Sequence, residues 1–224
     1  MEKSSSASEQ YVPEIGHVVR MAPKLNEWAS MAAHSYGLYS GINAAISRAH
    51  DKSAPIVTHA DHLRTETALL CIVRLFATID RDSQISLQSV NRFLKLPNSP
   101  HELATAYAAS NDRAQIEAAM KACKAGIDRF NKYYSTIDWN AIGRMQSFRN
   151  SAIAHITWGE VRKFVTHGEL ETLVEIVGRL AGETTLMTSG LNNWPHEHQE
   201  IAHDDAKHKW DAIFAADHRD VIDY

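Results

Sequence analysis

The sequence predicts an all-α protein. Ten glycines and six prolines in 224 residues are few for a fold with many turns, and the hydrophobic fraction of 44% is ordinary for a globular domain. Apolar residues recur at spacings of three and four through most of the chain, as in helices with one buried face. No stretch long enough for a strand shows the alternation of apolar and polar residues that is typical of a half-buried strand. We therefore expect a bundle of long helices.

The first two helices follow from this periodicity. Apolar residues keep helical spacing over residues 25–46, after Pro23. Because proline interrupts the hydrogen bonds of a helix, we expect the helix to begin on the C-terminal side of Pro23. Gly37 and Gly41 lie four residues apart within it, a spacing that favours close helix packing over a ligand loop. A second helix is expected over residues 56–79.

Capping signals indicate where the next helices begin. Ser86 is the expected N-cap of a short helix, which the turn residues 97–100 should end. Residues 101–134 are rich in good helix formers and should be helical with one interruption. Asn111 or Asp112 is expected to cap the part after that interruption.

Two further helices are expected over residues 139–158 and 169–186, with Gly159 and Gly168 bracketing the segment between them. Beyond Gly190, large apolar residues are sparse. This composition predicts a peripheral C-terminal helix or a partly ordered tail.

The chain is expected to hold one domain, over residues 13–189, preceded by a flexible N-terminus over residues 1–12. Residues 190–224 form an appendage that is unusually rich in histidine. Five of the thirteen histidines fall there: His196, His198, His203, His208 and His218.

Composition excludes several classes of protein. The formal charge of −4 gives no general attraction for nucleic acid, although a local basic cleft is compatible with it. We expect a cytosolic protein without membrane association, because no apolar run is long enough to span a bilayer and the N-terminal residues lack the pattern of a signal peptide. Cys71 and Cys123 lie in apolar helical patterns, which predicts two buried, reduced thiols.

The most specific pattern is Ser-Phe-Arg-Asn-Ser-Ala-Ile-Ala-His, at residues 147–155. Asn150 directly follows Arg149, Ile-Ala directly precedes His155, and a gap of five residues separates the arginine from the histidine. The whole pattern lies within a predicted helix.

A second arginine and histidine, Arg162 and His167, have a similar spacing. Lys163 follows that arginine, and the pair runs into the helix boundary at Gly168. Short motifs produce chance matches, so we use the surrounding residues to choose between the two pairs. They favour Arg149 and His155 as the functional motif.

The 147–155 segment resembles the signature of HEPN domains, in which a polar residue follows an arginine and a histidine comes four to six positions later. The order of helices also resembles the abortive-infection U-type HEPN proteins. The shared features are a long first helix with aromatic residues, an apolar second helix, an Asp-rich turn before Ser86, a central helical pair, the motif helix and a Leu/Val-rich last helix. The resemblance covers about residues 25–186 and leaves the appendage unmatched.

This resemblance implies an HEPN-like helical bundle and a metal-independent endoribonuclease of toxin or phage-defence type. The 2′-hydroxyl of the RNA would be the nucleophile, and no cofactor is implied. His155 would act as general acid or base, and Arg149 would hold the phosphate. Asn150 would orient one of them, and Ser151, one turn before His155, is a candidate hydrogen-bond partner.

The resemblance further implies a homodimer in which two motifs meet, and a possible antitoxin partner such as a nucleotidyltransferase-like protein. Helix geometry points the same way. On an ideal helix, Arg149 lies roughly 120° around from His155 and about 9 Å along the axis, so one helix aligns the two side chains poorly.

Secondary candidates lie before the motif. A series of basic residues and one tyrosine could contact RNA. The ordinary interpretations are a solvent-exposed helix face for the basic residues and a core position for the tyrosine. These residues are Lys121, Lys124, Arg129, Lys132 and Tyr134.

Two alternative functions stay open at this point. One is a non-catalytic module that binds RNA, a nucleotide or an antitoxin at the same site. The other is a metal-dependent hydrolase that uses the appendage, where Glu200, Asp204 and His208 share a helical face. No recognised metal-ligand spacing is present, and we expect no metal site there.

Overall fold

The computed structural model describes residues 11–79, 86–108, 112–148 and 165–222. Every regular element in these ranges is an α-helix, which confirms the predicted fold class. In chain order the described helices are α1 (Ile15–Arg48), α2 (Pro55–Ile79), α3 (Leu87–Leu94), α4 (Ser99–Ala108), α5 (Arg113–Ser135), α6 (Trp139–Phe148), α7 (His167–Ser189) and α8 (Pro195–Ile222). None of these helices is both long enough and apolar enough to cross a bilayer.

Helix α1 is longer than the sequence predicts, and it includes Pro23. The expected start after the proline is wrong: the helix begins at Ile15, with Glu14 at the N-cap position. A proline in a helix interior costs about 3 kcal/mol. Val18 and Met21, in the turns before it, are each only 1% exposed. Burial of one such side chain contributes about 1.5–3 kcal/mol, so packing of these turns offsets the cost of the proline.

Capping residues set other helix ends as predicted. Ser86 caps α3 by accepting a hydrogen bond from the backbone N–H of Ser89 at 3.1 Å. Asp112 caps α5 by accepting one from the N–H of Ala114 at 2.9 Å. Helices α2 and α7 also occur where they were expected. Helix α6 is described as far as Phe148, and the rest of that predicted helix lies outside the described residues.

Helix α1 is central to the bundle and packs against α2, α7 and α8, while α5 packs against α4 and α7. The main core draws side chains from α1 through α7. Cys71 and Cys123 are buried free thiols, as predicted, and burial raises the pKa of both. The largest fully buried side chains include Tyr36, Leu75, Phe93, Phe130, Met145 and Leu173.

The C-terminal residues form the 28-residue helix α8, which packs along α1. The contact centres on two glycines of α1. A Cβ atom added to Gly37 or Gly41 would lie 2.3 Å from the backbone carbonyl oxygen of Gln199 or His203, respectively. The prediction that this glycine pair marks close helix packing is therefore confirmed.

Contacts on both sides of this crossing hold α8 in place. Before the helix, the buried side chain of Asn26 donates to the carbonyl oxygen of Asn193 at 3.0 Å. Further along it, Arg48 and Asp211 form an ion pair at 2.8 Å. Trp210 packs into a second, smaller apolar cluster shared with α1 and α2. The histidine-rich helix is thus attached to the bundle over much of its length.

Candidate active site

The motif residues Arg149, Asn150, Ser151 and His155 lie outside the described residues, as does Arg162 of the second pair. His167, the other member of that pair, is the first residue of α7. What the structure describes is the protein on either side of the segment 149–164.

Both flanks of that segment are fixed to the bundle. Phe148 and Val165 are partly buried and pack against the main core. Arg144 of α6 pairs with Glu169 in the first turn of α7. The residues on both sides of the segment 149–164 are therefore anchored to the core. An ion pair also joins the helix before this segment to the helix after it.

Glu169 also shapes the start of α7. Its carboxylate accepts a hydrogen bond from the backbone N–H of Thr166 at 2.8 Å, and the hydroxyl of Thr166 accepts one from the N–H of Glu169 at 3.3 Å. This reciprocal arrangement is a capping box. The backbone hydrogen bond from Thr166, with further contributions from Arg144, holds the pKa of Glu169 below its usual range.

A polar cleft of about 470 Å³ opens beside the start of α7, between α1, α7 and α8. We call it the histidine cleft, because one imidazole from α7 and one from α8 line it. Its principal lining residues are Tyr36, Ser40, His167, Glu171, His203 and Asp204.

Tyr36 and Tyr39 hold His167 in position. The Oη atom of Tyr36 and the Nδ1 atom of His167 are 2.9 Å apart, within hydrogen-bond distance. The imidazole ring lies 5.5 Å from the ring of Tyr36 and 5.3 Å from that of Tyr39, between ring centroids. Burial, with a further contribution from the charge of Glu171, raises the pKa of Tyr36 well above its usual value. The Tyr36 hydroxyl therefore keeps its proton and stays available for this hydrogen bond.

Ser40, one turn after Tyr36 on α1, holds His203 of α8 in position. The Oγ atom of Ser40 lies 2.8 Å from the Nδ1 atom of His203 and also donates to the carbonyl oxygen of Gly37 at 3.1 Å. Because a hydroxyl has one hydrogen, a Ser40 that donates to Gly37 accepts from His203.

The lining of the histidine cleft combines imidazoles with carboxylates. Glu171, Glu200 and Asp204 contribute three carboxylates, and the part of the lining that the structure describes includes no lysine or arginine. Imidazoles and carboxylates can act as general acids and bases, but the described residues of the lining offer no fixed cation for a phosphate. Within the described ranges, no three His, Cys, Asp or Glu side chains are arranged to hold a metal ion.

The predicted basic series on α5 is not uniform. Lys121, Lys124 and Lys132 are exposed, but Asp128 lies between them at helical spacing, which gives the face mixed charge. Arg129 instead binds Glu183 of α7 through two hydrogen bonds, of 2.6 and 2.9 Å.

The pairing of Arg129 with Glu183 is structural. The Glu183 side chain is only 3% exposed, and a carboxylate buried to that degree requires a partner. This hydrogen-bonded pairing raises the pKa of Arg129 further. An Arg129 committed to Glu183 is less available for RNA than the three lysines are.

Tyr134 lies at the edge of the core. Its ring stacks on buried Phe130 with 5.9 Å between centroids, and it also contacts Trp139. Burial raises the pKa of Tyr134. These contacts correspond to the ordinary packing interpretation of the aromatic residues before the motif.

Sequence reasoning did not identify the histidine cleft. Its residues come from three helices, and Tyr36 and His167 are separated by 131 residues. The available signals were weak: Tyr36 and Ser40 each directly precede one of the two glycines, at a spacing of four, and His167 belonged to the rejected second pair.

Comparison of the chain with protein-family models, with curated proteins and with solved structures finds no match. Over the described residues, the fold and the cleft define an all-helical protein with an acidic, histidine-containing cleft beside the start of α7.

Proposed function

We propose that this protein is a metal-independent endoribonuclease of toxin or phage-defence type. The observation that carries the proposal is the segment from Arg149 to His155, whose residues and spacing resemble the HEPN signature. The all-helical fold and the order of its described helices support the proposal, since the resemblance implies both.

In the proposed reaction, a 2′-hydroxyl of the RNA attacks the adjacent phosphorus. A bond forms between the 2′-oxygen and phosphorus, the bond to the 5′-oxygen breaks, and a 2′,3′-cyclic phosphate results. His155 accepts the 2′-hydroxyl proton or protonates the leaving 5′-oxygen. Arg149 stabilises the negative charge on the phosphate oxygens. Asn150 orients the histidine or the phosphate, and Ser151 assists by hydrogen bonding.

The electrostatics of the described residues supports a specific division of roles. Among the described residues, the histidine cleft supplies carboxylates and imidazoles without a lysine or arginine, and the formal charge of the chain is −4. We assign phosphate binding to Arg149, as the resemblance implies. Lys121, Lys124 and Lys132 are exposed cations that would add weak, sequence-independent contacts with the RNA backbone.

We also propose a cytoplasmic homodimer that brings two copies of the motif together. Two guanidinium groups in one cleft would focus positive potential where the phosphate binds. Because an unregulated ribonuclease harms its host, a trigger or a cognate antitoxin, such as a nucleotidyltransferase-like protein, would restrain it.

RNA cleavage by the purified protein in excess chelator tests the proposal. We expect cleavage to continue, to yield 2′,3′-cyclic phosphate ends, and to stop when the 2′-hydroxyl at the cleaved position is replaced by hydrogen. His155→Ala should reduce the rate at least about a hundredfold, as for loss of a general acid or base, and Arg149→Ala should do likewise. His208→Ala, at an exposed position of α8, is the matched control and should cleave at the wild-type rate.

The alternative is a non-catalytic module that binds RNA, a nucleotide or an antitoxin through the same residues. The acidic lining of the histidine cleft favours an antitoxin over RNA or a nucleotide in this alternative, because carboxylates repel a phosphate. RNA binding without cleavage by the wild-type protein would support this alternative. Cleavage that requires added zinc would instead indicate a metal-dependent hydrolase.

A further inference from the structure

A second cleft, of about 540 Å³, lies between α1, α2, the end of α7 and the start of α8. Its volume is within the range of about 300–1,000 Å³ that small-molecule sites occupy. We call it the Arg74 cleft. The residues that carry the argument are Glu27, Ser30, His34, Arg74, Leu191 and His198.

The Arg74 guanidinium is held in a defined orientation. Its Nη1 atom donates to the carbonyl oxygen of Met31 at 3.0 Å and to the hydroxyl of Ser35. Ser35 is buried and itself donates to the Met31 carbonyl at 2.9 Å. One end of the guanidinium is thus fixed against α1.

Most described arginines pair with a carboxylate, but Arg74 pairs with none of the carboxylates that the structure describes. Six others pair with an aspartate or glutamate: Arg48, Arg64, Arg113, Arg129, Arg144 and Arg179. No carboxylate in the described ranges forms such a pair with Arg74, although its side chain is partly buried. A partly desolvated cation of this kind favours an external anion.

Further polar groups line the same cleft. The Oγ atom of Ser30 is buried without a hydrogen-bond partner in the described structure. His34 and His198 contribute two exposed imidazoles, and Asn26 and Asn193 contribute amides. Hydroxyl, imidazole and guanidinium groups are suitable donors for phosphate oxygens.

Apolar and acidic residues in the lining of the Arg74 cleft restrict the chemistry of the ligand further. Pro23, Met31 and Leu191 form an apolar wall beside the polar groups, which suits an organic body better than a bare ion. Glu27 contributes a carboxylate to the lining, but its side chain is exposed, so that water and salt weaken its repulsion of an anion.

We propose that the Arg74 cleft binds a small organic phosphate about the size of a nucleoside 5′-monophosphate, with the phosphate group on Arg74. None of the described residues lines both this site and the histidine cleft. The two clefts are nevertheless neighbours, because His198 of α8 lines one and Gln199 lines the other. The proposal does not depend on ribonuclease activity.

Calorimetric titration of the full chain with adenosine 5′-monophosphate, adenosine and inorganic phosphate tests this inference. We expect the monophosphate to bind at least about tenfold more tightly than either fragment, because only it engages both the cation and the apolar wall. Equal binding of adenosine would overturn the role of the phosphate group. Equal binding of inorganic phosphate would overturn the role of the organic body.

Variants assign the binding to the cleft. Arg74→Gln should weaken binding of the monophosphate at least about tenfold, as loss of a charge-assisted hydrogen bond does. Arg64→Gln is the matched control, since Arg64 lies on the same helix and contacts Asn43 and Asp61 outside this cleft; its affinity should equal that of the wild type. Glu27→Gln should tighten binding several-fold, because it removes a repulsive charge, and a misfolded variant does not gain affinity.

Three results would overturn the proposal. The first is no binding of the monophosphate at concentrations up to about 10 mM, far above the range of specific sites. The second is unchanged affinity in Arg74→Gln while circular dichroism shows wild-type helicity. The third is displacement of the bound monophosphate by single-stranded RNA at lower concentration, which would make the cleft part of an RNA-binding surface.

Discussion

Gly41 of α1 lies directly against the backbone of His203 in α8, so that a Cβ on the glycine would be 2.3 Å from the His203 carbonyl oxygen. The same Cβ would lie 3.0 Å from the Cβ of Ala206. Neither neighbour is the end of a flexible side chain, so one helix must move if the glycine is replaced.

We expect Gly41→Ala to destabilise the protein. Overpacking costs about 1–3 kcal/mol, which exceeds the gain of at most about 1 kcal/mol that alanine has over glycine within a helix. A fall in the midpoint of urea unfolding checks this prediction.

Gly143→Ala is the matched control for that substitution. Gly143 lies inside α6, and a Cβ there would meet no atom of the described residues within 4 Å. Alanine should therefore raise the free energy of unfolding by about 0.5–1 kcal/mol. A destabilised Gly143→Ala variant, or an unaffected Gly41→Ala variant, would show that the helix contact does not set these effects.

The sequence predicted features that depend on neighbouring residues. Ser86 and Asp112 are caps because their side chains reach backbone N–H groups only two or three residues ahead. Pro23 misled the prediction of α1, because burial of the preceding turns depends on helices far along the chain.

The candidate site could be predicted only in part, for the same reason. The motif from Arg149 to His155 is continuous in sequence, and it stays a prediction because it lies outside the described residues. The histidine cleft was not predicted, because His203 meets Ser40 across 163 residues. Helical spacing reports which face of a helix is apolar, and it does not report which distant helix covers a polar position.

The pairing of Arg129 with Glu183 makes a second prediction. Arg129→Ala leaves an almost fully buried carboxylate without its two hydrogen bonds. A buried polar group left unpaired costs about 1–3 kcal/mol. We expect the free energy of unfolding to fall by that amount in urea denaturation.

Arg113→Ala is its control on the same helix. Arg113 pairs with Glu117, and their side chains are 92% and 60% exposed. An exposed pair of this kind contributes roughly 0.5 kcal/mol or less. Equal losses in the two variants would contradict a structural role for the buried pair.

Glu169 predicts a dependence of stability on pH. Its pKa is lower in the folded protein than its ordinary value of 4.5, chiefly through the backbone hydrogen bond from Thr166. A carboxyl group with a depressed folded pKa stabilises the protein above its ordinary pKa, and this contribution is lost as the pH falls through the folded pKa. Glu169→Gln should therefore make the loss of stability below about pH 4.5 less steep.

Urea unfolding at a series of pH values measures this slope. Ser86→Ala is the control, because it removes a neutral helix cap and should cost about 1 kcal/mol at every pH. An unchanged acid slope in Glu169→Gln would contradict the prediction.

The last prediction concerns the proposed dimer and uses two inactive variants together. An ideal helix separates Arg149 and His155 by roughly 120°, so we expect each catalytic centre to take the arginine of one subunit and the histidine of its partner. Arg149→Ala and His155→Ala should each be inactive alone. The two variants are then unfolded and refolded together, so that mixed dimers form. In a two-fold assembly, half of the randomly paired dimers are mixed, and each mixed dimer holds one intact centre of its two. The mixture should therefore recover about a quarter of the wild-type rate. Light scattering before and after mixing establishes that dimers are present. If dimers form and the mixture stays inactive while the wild type cleaves RNA, each centre is built from a single chain; a wild-type protein that is monomeric and active would exclude the shared centre altogether.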